Sequence, residues 1–461
     1  MNSMQGGVRQ NRTICRNHVK QTENGKSLFM PEPSTVHKHK LANGLNIHLK
    51  EIHTAPIISH WVWYRVGSRN EVPGKTGLSH WVEHMQFKGT PGFPASTLDK
   101  AISREGGVWN AFTYLDWTTY FETMPADKIE LGLRLEVDRM NNSLFSAEEV
   151  EAERTVIISE REGSENEPLF KLSEAVQAAS FNSHPYRNEI IGDLADLRSI
   201  TRDDLYGYYR QNYSPSNALL CMAGDFNAAE MLHRIEDLYS AIPSGEIPPL
   251  DVQEEQHLGE ERRISIKGHG ETTYLLLAYR APRASSADFF TFSVLDSLLC
   301  GPSSLNMFGG GGISNKTSIL YQKLVDTGLA TGISGGLQAT VDPYLYEITA
   351  TINPNHSLEE ILAVIDTEIE KLQSHKVREE DIHRAIKQAR ALFAYGSENI
   401  TNQAFWLGYA EMFATYDWFE KYLENLEKTT PADIQKLAER YLARGSRVIG
   451  SYLPRKGKGA K

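Results

Sequence analysis

The chain has 461 residues and a mass of 51.9 kDa, too long for one ordinary core, and its 40% of hydrophobic residues can fill two. A formal net charge of -11 excludes a sequence-independent affinity for nucleic acid or an anionic membrane. Cys15, Cys221 and Cys300 stand too far apart for a disulfide framework or a Cys-x-x-Cys metal site, and no apolar run is long enough to span a membrane. The protein reads as soluble and by default cytoplasmic; a periplasmic or organellar location would follow had a targeting segment been removed.

Residues 1–34 are polar and without periodicity, as expected of a disordered arm. Lys40–Leu49 reads as two short strands around an Asn43-Gly44 turn, and Ile57–Gly67 has the aromatic and β-branched content of another strand. His48, His53 and His60 near these strands read as structural residues. The spacing then predicts a helix over 77–88, stopped by Gly89, on which His80, Glu83 and His84 project from one face. Two neutral imidazoles can hold Zn²⁺ while the neighbouring carboxylate takes a proton from water, and the order His-x-x-Glu-His is the inverted form of the better-known zinc peptidase helix.

Residues 96–105 read as a second helix ended by Gly106-Gly107, and Phe112 through Met124 alternates as one strand would. Asp127–Met140 is amphipathic, with Ile129, Leu133, Val137 and Met140 at helical spacing. The following helix starts after Ser146, with Glu149 closing a Ser-x-x-Glu capping box, and carries Glu149, Glu153 and Glu160. The last two are seven residues apart and share a face. A carboxylate from this second helix would complete three protein ligands and leave a position for water, but the residues alone do not choose among the three glutamates.

Helices are expected at 168–180 and 201–211, a strand at Ala218–Ala223, and an interdomain linker over 243–261, which is acidic and proline-bearing. Beyond it the chain repeats itself distantly. Thr430, Asp433 and Ile434 echo Thr201, Asp204 and Leu205, Val448–Leu453 echoes Leu219–Ala223, and helices at 358–373 and 378–394 echo those at 127–140 and 146–162. In the second copy Arg384 and Ala391 stand where the first has Glu153 and Glu160, so it should lack the chemistry. The division expected is an arm (1–34), a zinc-binding domain (35–242), the linker (243–261) and a zinc-free homologous domain (262–456). The run Phe308–Ser314 is glycine-rich but lacks the Gly-Lys-Ser/Thr ending of a phosphate loop and reads as a flexible loop.

The stretch Gly77-Leu78-Ser79-His80-Trp81-Val82-Glu83-His84-Met85-Gln86-Phe87-Lys88-Gly89-Thr90 resembles the signature of the pitrilysin/insulinase-type metallopeptidases, with Trp81 where Phe is usual. Gly106-Gly107, Asn110–Thr113, Asp116–Tyr120, Glu153-Arg154, Val156–Ile158, His184-Pro185-Tyr186 and Gly192 follow in the family's order, so the likeness covers nearly all of the chain after about residue 35. It is strongest to half-size members such as the catalytic subunit of the mitochondrial processing peptidase.

The resemblance implies an α+β fold of two homologous αβ domains made by duplication, each an antiparallel or mixed sheet packed with helices, of the LuxS/metallohydrolase-like type. It implies one Zn²⁺ per chain held by His80, His84 and Glu160, Glu83 as the catalytic base, and Glu153 as a carboxylate supporting a ligating histidine. Asn110 and Ala111 fall on the family's substrate-binding strand edge, and the glycine run matches a segment associated there with substrate handling. Active members also use an Arg and a Tyr from a later domain or a partner chain, where this chain has Val325 and Thr331. A zinc-free homologous subunit supplying both, in a clam-like heterodimer acting on unfolded peptides or presequences, is therefore implied; a homodimer is the alternative assembly. The competing function is a noncatalytic structural or chaperone-like subunit, a class in which the zinc motif is usually eroded.

Overall fold

Period-two alternation decides how the chain layers. In the strand Ile57–Tyr64, Ile58, Val62 and Tyr64 face one apolar core while Trp61 and Trp63 face another, so the sheet it lies in is buried on both sides. The computed structural model describes residues 35–247, 249–255, 258–305 and 313–455. The expected arm and residues 308–312 of the glycine run lie outside the described residues.

Two sheets organise the chain. The first has strands β1 (Val36–Lys40), β2 (Asn46–Glu51), β3 (Ile57–Tyr64), β4 (Val108–Thr113), β5 (Thr118–Pro125) and β6 (Ala218–Gly224), in the order β1-β2-β6-β3-β5-β4. The second has β7 (Arg262–Gly268), β8 (Thr273–Arg280), β9 (Ala330–Leu337), β10 (Leu345–Ile352) and β11 (Arg447–Pro454), in the order β7-β11-β8-β10-β9. Setting β2, β6, β3, β5 and β4 against β7, β11, β8, β10 and β9 superposes the two orders. The single parallel pairing falls at the same place in each, β2 with β6 and β7 with β11. The duplication legible in the sequence is thus a duplication of topology, with β1 added to the first copy.

Helices of the first half are α1 (Leu78–Met85), α2 (Ala95–Arg104), α3 (Ile129–Asn142), α4 (Ala147–Ser164), α5 (Pro168–Ser180), α6 (Leu194–Ser199), α7 (Arg202–Asn212) and α8 (Ala228–Tyr239). The second half has α9 (Ala287–Leu299), α10 (Leu358–Ser374), α11 (Glu379–Tyr395), α12 (Ile400–Phe413), α13 (Tyr416–Glu420), α14 (Tyr422–Glu427) and α15 (Pro431–Tyr441). The repeated Thr-x-x-Asp motifs form complete capping boxes at the starts of α7 and α15. At α4 the hydroxyl of Ser146 accepts the Glu149 N–H at 3.2 Å, one half of the box expected there. The Asn43-Gly44 turn forms as read, with Gly44 in the left-handed region at φ +96°.

Two elements differ from the sequence reading. The helix over 77–88 is regular only through Met85, its last residues unwinding into turns before Gly89. The single strand expected over Phe112–Met124 is the last two residues of β4, a turn, and β5. Tyr114 and Trp117 continue the aromatic alternation but close the turn, the Tyr114 N–H donating to the Trp117 carbonyl at 2.8 Å. Two carbonyls of that turn are held from outside, Tyr114 O by the Ser68 N–H (3.1 Å) and Leu115 O by the Arg69 N–H (2.8 Å).

The halves exchange helices. The open face of the first sheet, at β3 and β6, is covered by α12 from the second half, and β8 and β11 of the second sheet are covered by α5 from the first. Glycine permits each approach: a Cβ on Gly408 of α12 would lie 2.0 Å from Trp63 Nε1, and one on Gly450 of β11 would lie 2.3 Å from Val176 Cγ2. The described residues from Val36 onward accordingly form one compact unit. Among the described residues no helix is long and apolar enough to cross a membrane.

Candidate metal centre

Helix α1 brings His80, Glu83 and His84 to one side, while Leu78, Trp81, Val82 and Met85 are buried. The imidazole rings of His80 and His84 lie 4.5 Å apart between centroids. Helix α4 crosses α1, and its two glutamates divide the work. Glu153, almost wholly buried, accepts from His84 Nδ1 at 2.8 Å and pairs through its other oxygen with Lys88. Glu160 turns its carboxylate to the free nitrogens, 3.9 Å from His80 Nε2 and 3.8 Å from His84 Nε2. Glu149, the third candidate, stays in the first turn of α4 at its cap.

One atom each from His80, His84 and Glu160 lies within 4.8 Å of the others, so the three can hold a metal ion. A tetrahedral Zn²⁺ with bonds of about 2.0–2.1 Å sets its ligand atoms roughly 3.3–3.5 Å apart. The two gaps from Glu160 to the imidazoles, 3.9 and 3.8 Å, are a few tenths of an ångström wider. Two imidazole nitrogens and one carboxylate are also the donor set that suits zinc with a coordination position left over. Because Nδ1 of His84 is committed to Glu153, its Nε2 is presented to the site, the support that ligating histidines commonly have.

The electrostatics of the two histidines differ. Burial, reinforced by the neighbouring His84, pushes His80 down to about 3, keeping it neutral as a ligand must be. Burial also pulls on His84, but Glu153, Glu83 and Glu160 outweigh it and hold the imidazole above its ordinary value. Glu153 is held below the usual carboxylate range because its bonds to His84 and Lys88 overcome burial. Burial pushes Glu83 up to about 6, against the opposing pull of a hydrogen bond from Thr113.

That bond, from Thr113 Oγ1 to Glu83 Oε2 at 2.6 Å, ties the expected base to the last residue of β4. Among the described residues β4 pairs only with β5 and forms an edge of the first sheet. Asn110 and Ala111 lie on it, opposite Phe121 and Tyr120, and the Asn110 side-chain oxygen accepts the Ala111 N–H at 2.9 Å. Sequence reasoning did not single out Thr113 or Lys88, although both lie in stretches quoted for the resemblance; their partners are contacts between elements and leave no local signal. His60, buried against Glu122 at 3.2 Å, and His53, paired with Asp225 at 2.7 Å, stand apart from the centre as expected. In the second half Arg384 pairs with Asp381, Val325 packs against the core, and Thr331 lies on β9.

Comparison with known proteins gives one direction. Residues 46–194 match the family described as Insulinase (Peptidase family M16), and residues 199–389 match its companion, the Peptidase M16 inactive domain. The chain is 26% identical over 422 residues to an uncharacterized zinc protease of Mycobacterium leprae, covering 90% of this chain and 92% of the relative. It is 25% identical over 396 residues to a probable mitochondrial-processing peptidase subunit beta of Arabidopsis thaliana, covering 82% of this chain and 73% of that one. The crystal structure of a protease from Helicobacter pylori superposes with a TM-score of 0.84 at 25% identity, covering 91% of this chain and 100% of that chain. The bacterial and plant relatives are about equally distant, so the likeness does not single out the processing peptidase.

Proposed function

We propose, from the premise that this chain belongs to the insulinase-type peptidase family M16 and is a zinc metalloprotease, that it is an endopeptidase for unfolded peptides and the zinc-bearing subunit of a two-subunit enzyme. The observation that carries this reading is the convergence of His80, His84 and Glu160 beside a carboxylate, Glu83, that is not among them. Bound there, Zn²⁺ supplies Lewis-acid chemistry, polarising a peptide carbonyl and making water easier to deprotonate.

The chain's own residues do the rest. Thr113 donates to one oxygen of Glu83 and leaves the other to take a proton from the attacking water and later pass it to the leaving amine. The edge of β4, unpaired among the described residues, offers an extended peptide a strand to pair with, so backbone bonds would supply affinity and side-chain pockets selectivity. Since Thr113 ends that same strand, a peptide added along β4 would be registered against the base that acts on it.

Stabilising the oxyanion needs donors that Val325 and Thr331 do not provide, since neither carries a guanidinium or a phenol. A zinc-free homologous subunit bearing the Arg and the Tyr would complete the site. The test is turnover of quenched, unstructured peptides by the purified chain alone and then with the candidate partner. The chain alone should show negligible turnover, and adding the partner should raise it by about 100-fold or more, the order that oxyanion donors contribute. Strong Glu83-dependent turnover by the chain alone would overturn the two-subunit assignment and leave the peptidase assignment standing.

A further inference from the structure

Helix α1 begins without a capping side chain. Its N-cap is Gly77, at φ +89°, and a Cβ there would stand 2.6 Å from the Ile191 carbonyl oxygen, so none of the usual Ser, Thr or Asp caps fits. The acceptor comes from outside the helix. Glu71, 5% exposed, takes the Gly77 N–H on Oε2 at 2.8 Å and the Ser79 N–H on Oε1 at 2.7 Å. Ser79 is the residue before His80. Burial pushes the Glu71 carboxyl up to about 8 while these amide bonds pull it down.

The loop that carries Glu71 is itself held on two sides. Its Ser68 and Arg69 N–H groups close on the carbonyls of the β4–β5 turn. The Arg69 guanidinium reaches into the second half, where Asp342 Oδ2 lies 2.6 Å from both Nε and Nη2. Asp342 also meets His184 Nε2 at 3.0 Å. Beside them Asp116, in the β4–β5 turn, accepts the Tyr186 hydroxyl at 2.6 Å and the Val341 N–H at 3.0 Å, and stands 3.8 Å from Arg69. Asp342 and Val341 lie between β9 and β10, the counterpart of the β4–β5 turn, so corresponding connections of the two copies meet here.

We propose that Glu71 is a positioning residue for the metal-binding helix and that Asp342, in the half without ligands, anchors it at a distance through Arg69. The loop is short and pinned at both ends, so a displacement of Arg69 is passed to Glu71 and from there to the first turn of α1, one residue before His80. The zinc-free half thereby acts on the metal centre, and the proposal rests on the reading of His80, His84 and Glu160 as a zinc site.

Zinc affinity measured by competition with a chromophoric chelator, below the melting temperature of every variant, tests it. Glu71→Gln keeps the side-chain shape but sets an amide against one of the two N–H groups, and should weaken zinc binding by about 10- to 100-fold, as loss of a carboxylate supporting a metal site commonly does. Asp342→Asn should weaken it by about three- to tenfold, Arg69→Leu by the same factor, and the double variant by no more than either. Asp342→Asn carries the test alone should Glu71→Gln not fold. Ile369→Ala, a cavity elsewhere in the second half, should lower the melting temperature and leave zinc affinity unchanged. If the Asp342 variant lost melting temperature in the manner of Ile369→Ala but bound zinc as the wild type does, the coupling would be refuted. Failure of the wild type itself to bind zinc would instead refute the metal centre, and this inference with it.

Discussion

Replacing Glu83 by Gln should lower kcat for peptide hydrolysis by about 10²- to 10⁴-fold while the chain keeps its zinc, the loss expected when a positioned general base is removed. The side chain stands beside the three candidate ligands but is not one of them, so the metal has no reason to leave. Glutamine retains an oxygen that can accept from Thr113, as Glu83 Oε2 does at 2.6 Å, so the geometry of β4 against α1 should survive. What disappears is the capacity to take a proton from water and return it to the amine. The effect belongs in kcat more than in KM, because peptide affinity would come from the β4 edge. The assay is steady-state hydrolysis of a quenched peptide by the complete enzyme, with zinc measured on the same sample. Activity within about threefold of wild type would exclude Glu83 as the base.

The largest expected effect on stability is at Trp63. Trp63 is fully buried, and its ring lies 5.1 Å from Trp117, 5.5 Å from Trp61 and 5.5 Å from Phe405, the last on α12 of the other half. Gly408 on the same helix is pressed so close that a methyl group there would collide with the indole. Trp63→Ala should cost about 3–5 kcal/mol, since a helix held on both sides cannot collapse into the space left. Each sheet relies on a helix of the other half, so both halves should unfold together. Urea unfolding followed by fluorescence and by far-ultraviolet circular dichroism should give coincident transitions in wild type and variant. Separate transitions, or a loss below about 1 kcal/mol, would contradict the exchange of helices as a source of stability.

What the sequence makes legible follows from whether the signal is local. His80, Glu83 and His84 are readable because helical spacing alone puts them on one face, and the seven-residue step from Glu153 to Glu160 is readable for the same reason. Choosing Glu160 over Glu149 and Glu153 needs the crossing of α4 over α1, which only the family likeness anticipated. The duplication is legible in its caps, since Thr201 and Thr430 each meet an Asp three residues on. The break between β4 and β5 is not legible, because the aromatic alternation runs through Tyr114 and Trp117 and the turn is set by hydrogen bonds from Ser68 and Arg69. Helix α12 poses the same difficulty in another form. Apolar residues surround it, from Phe405 and Trp406 through Tyr409 to Phe413, which announces burial but does not say that a sheet of the other half covers it. Glu71 reads as one more acid in a loop until the bare cap of α1 is seen.

Zinc content of the dialysed chain, taken together with X-ray absorption at the zinc edge, decides whether His80, His84 and Glu160 form a zinc site. One zinc per chain is expected, bound by two histidine nitrogens and a carboxylate, lost in His84→Ala and weakened at least about tenfold in Glu160→Gln. A wild-type chain that retained no zinc, or a Glu160→Gln chain that bound it with unchanged affinity, would contradict the assignment of the metal centre.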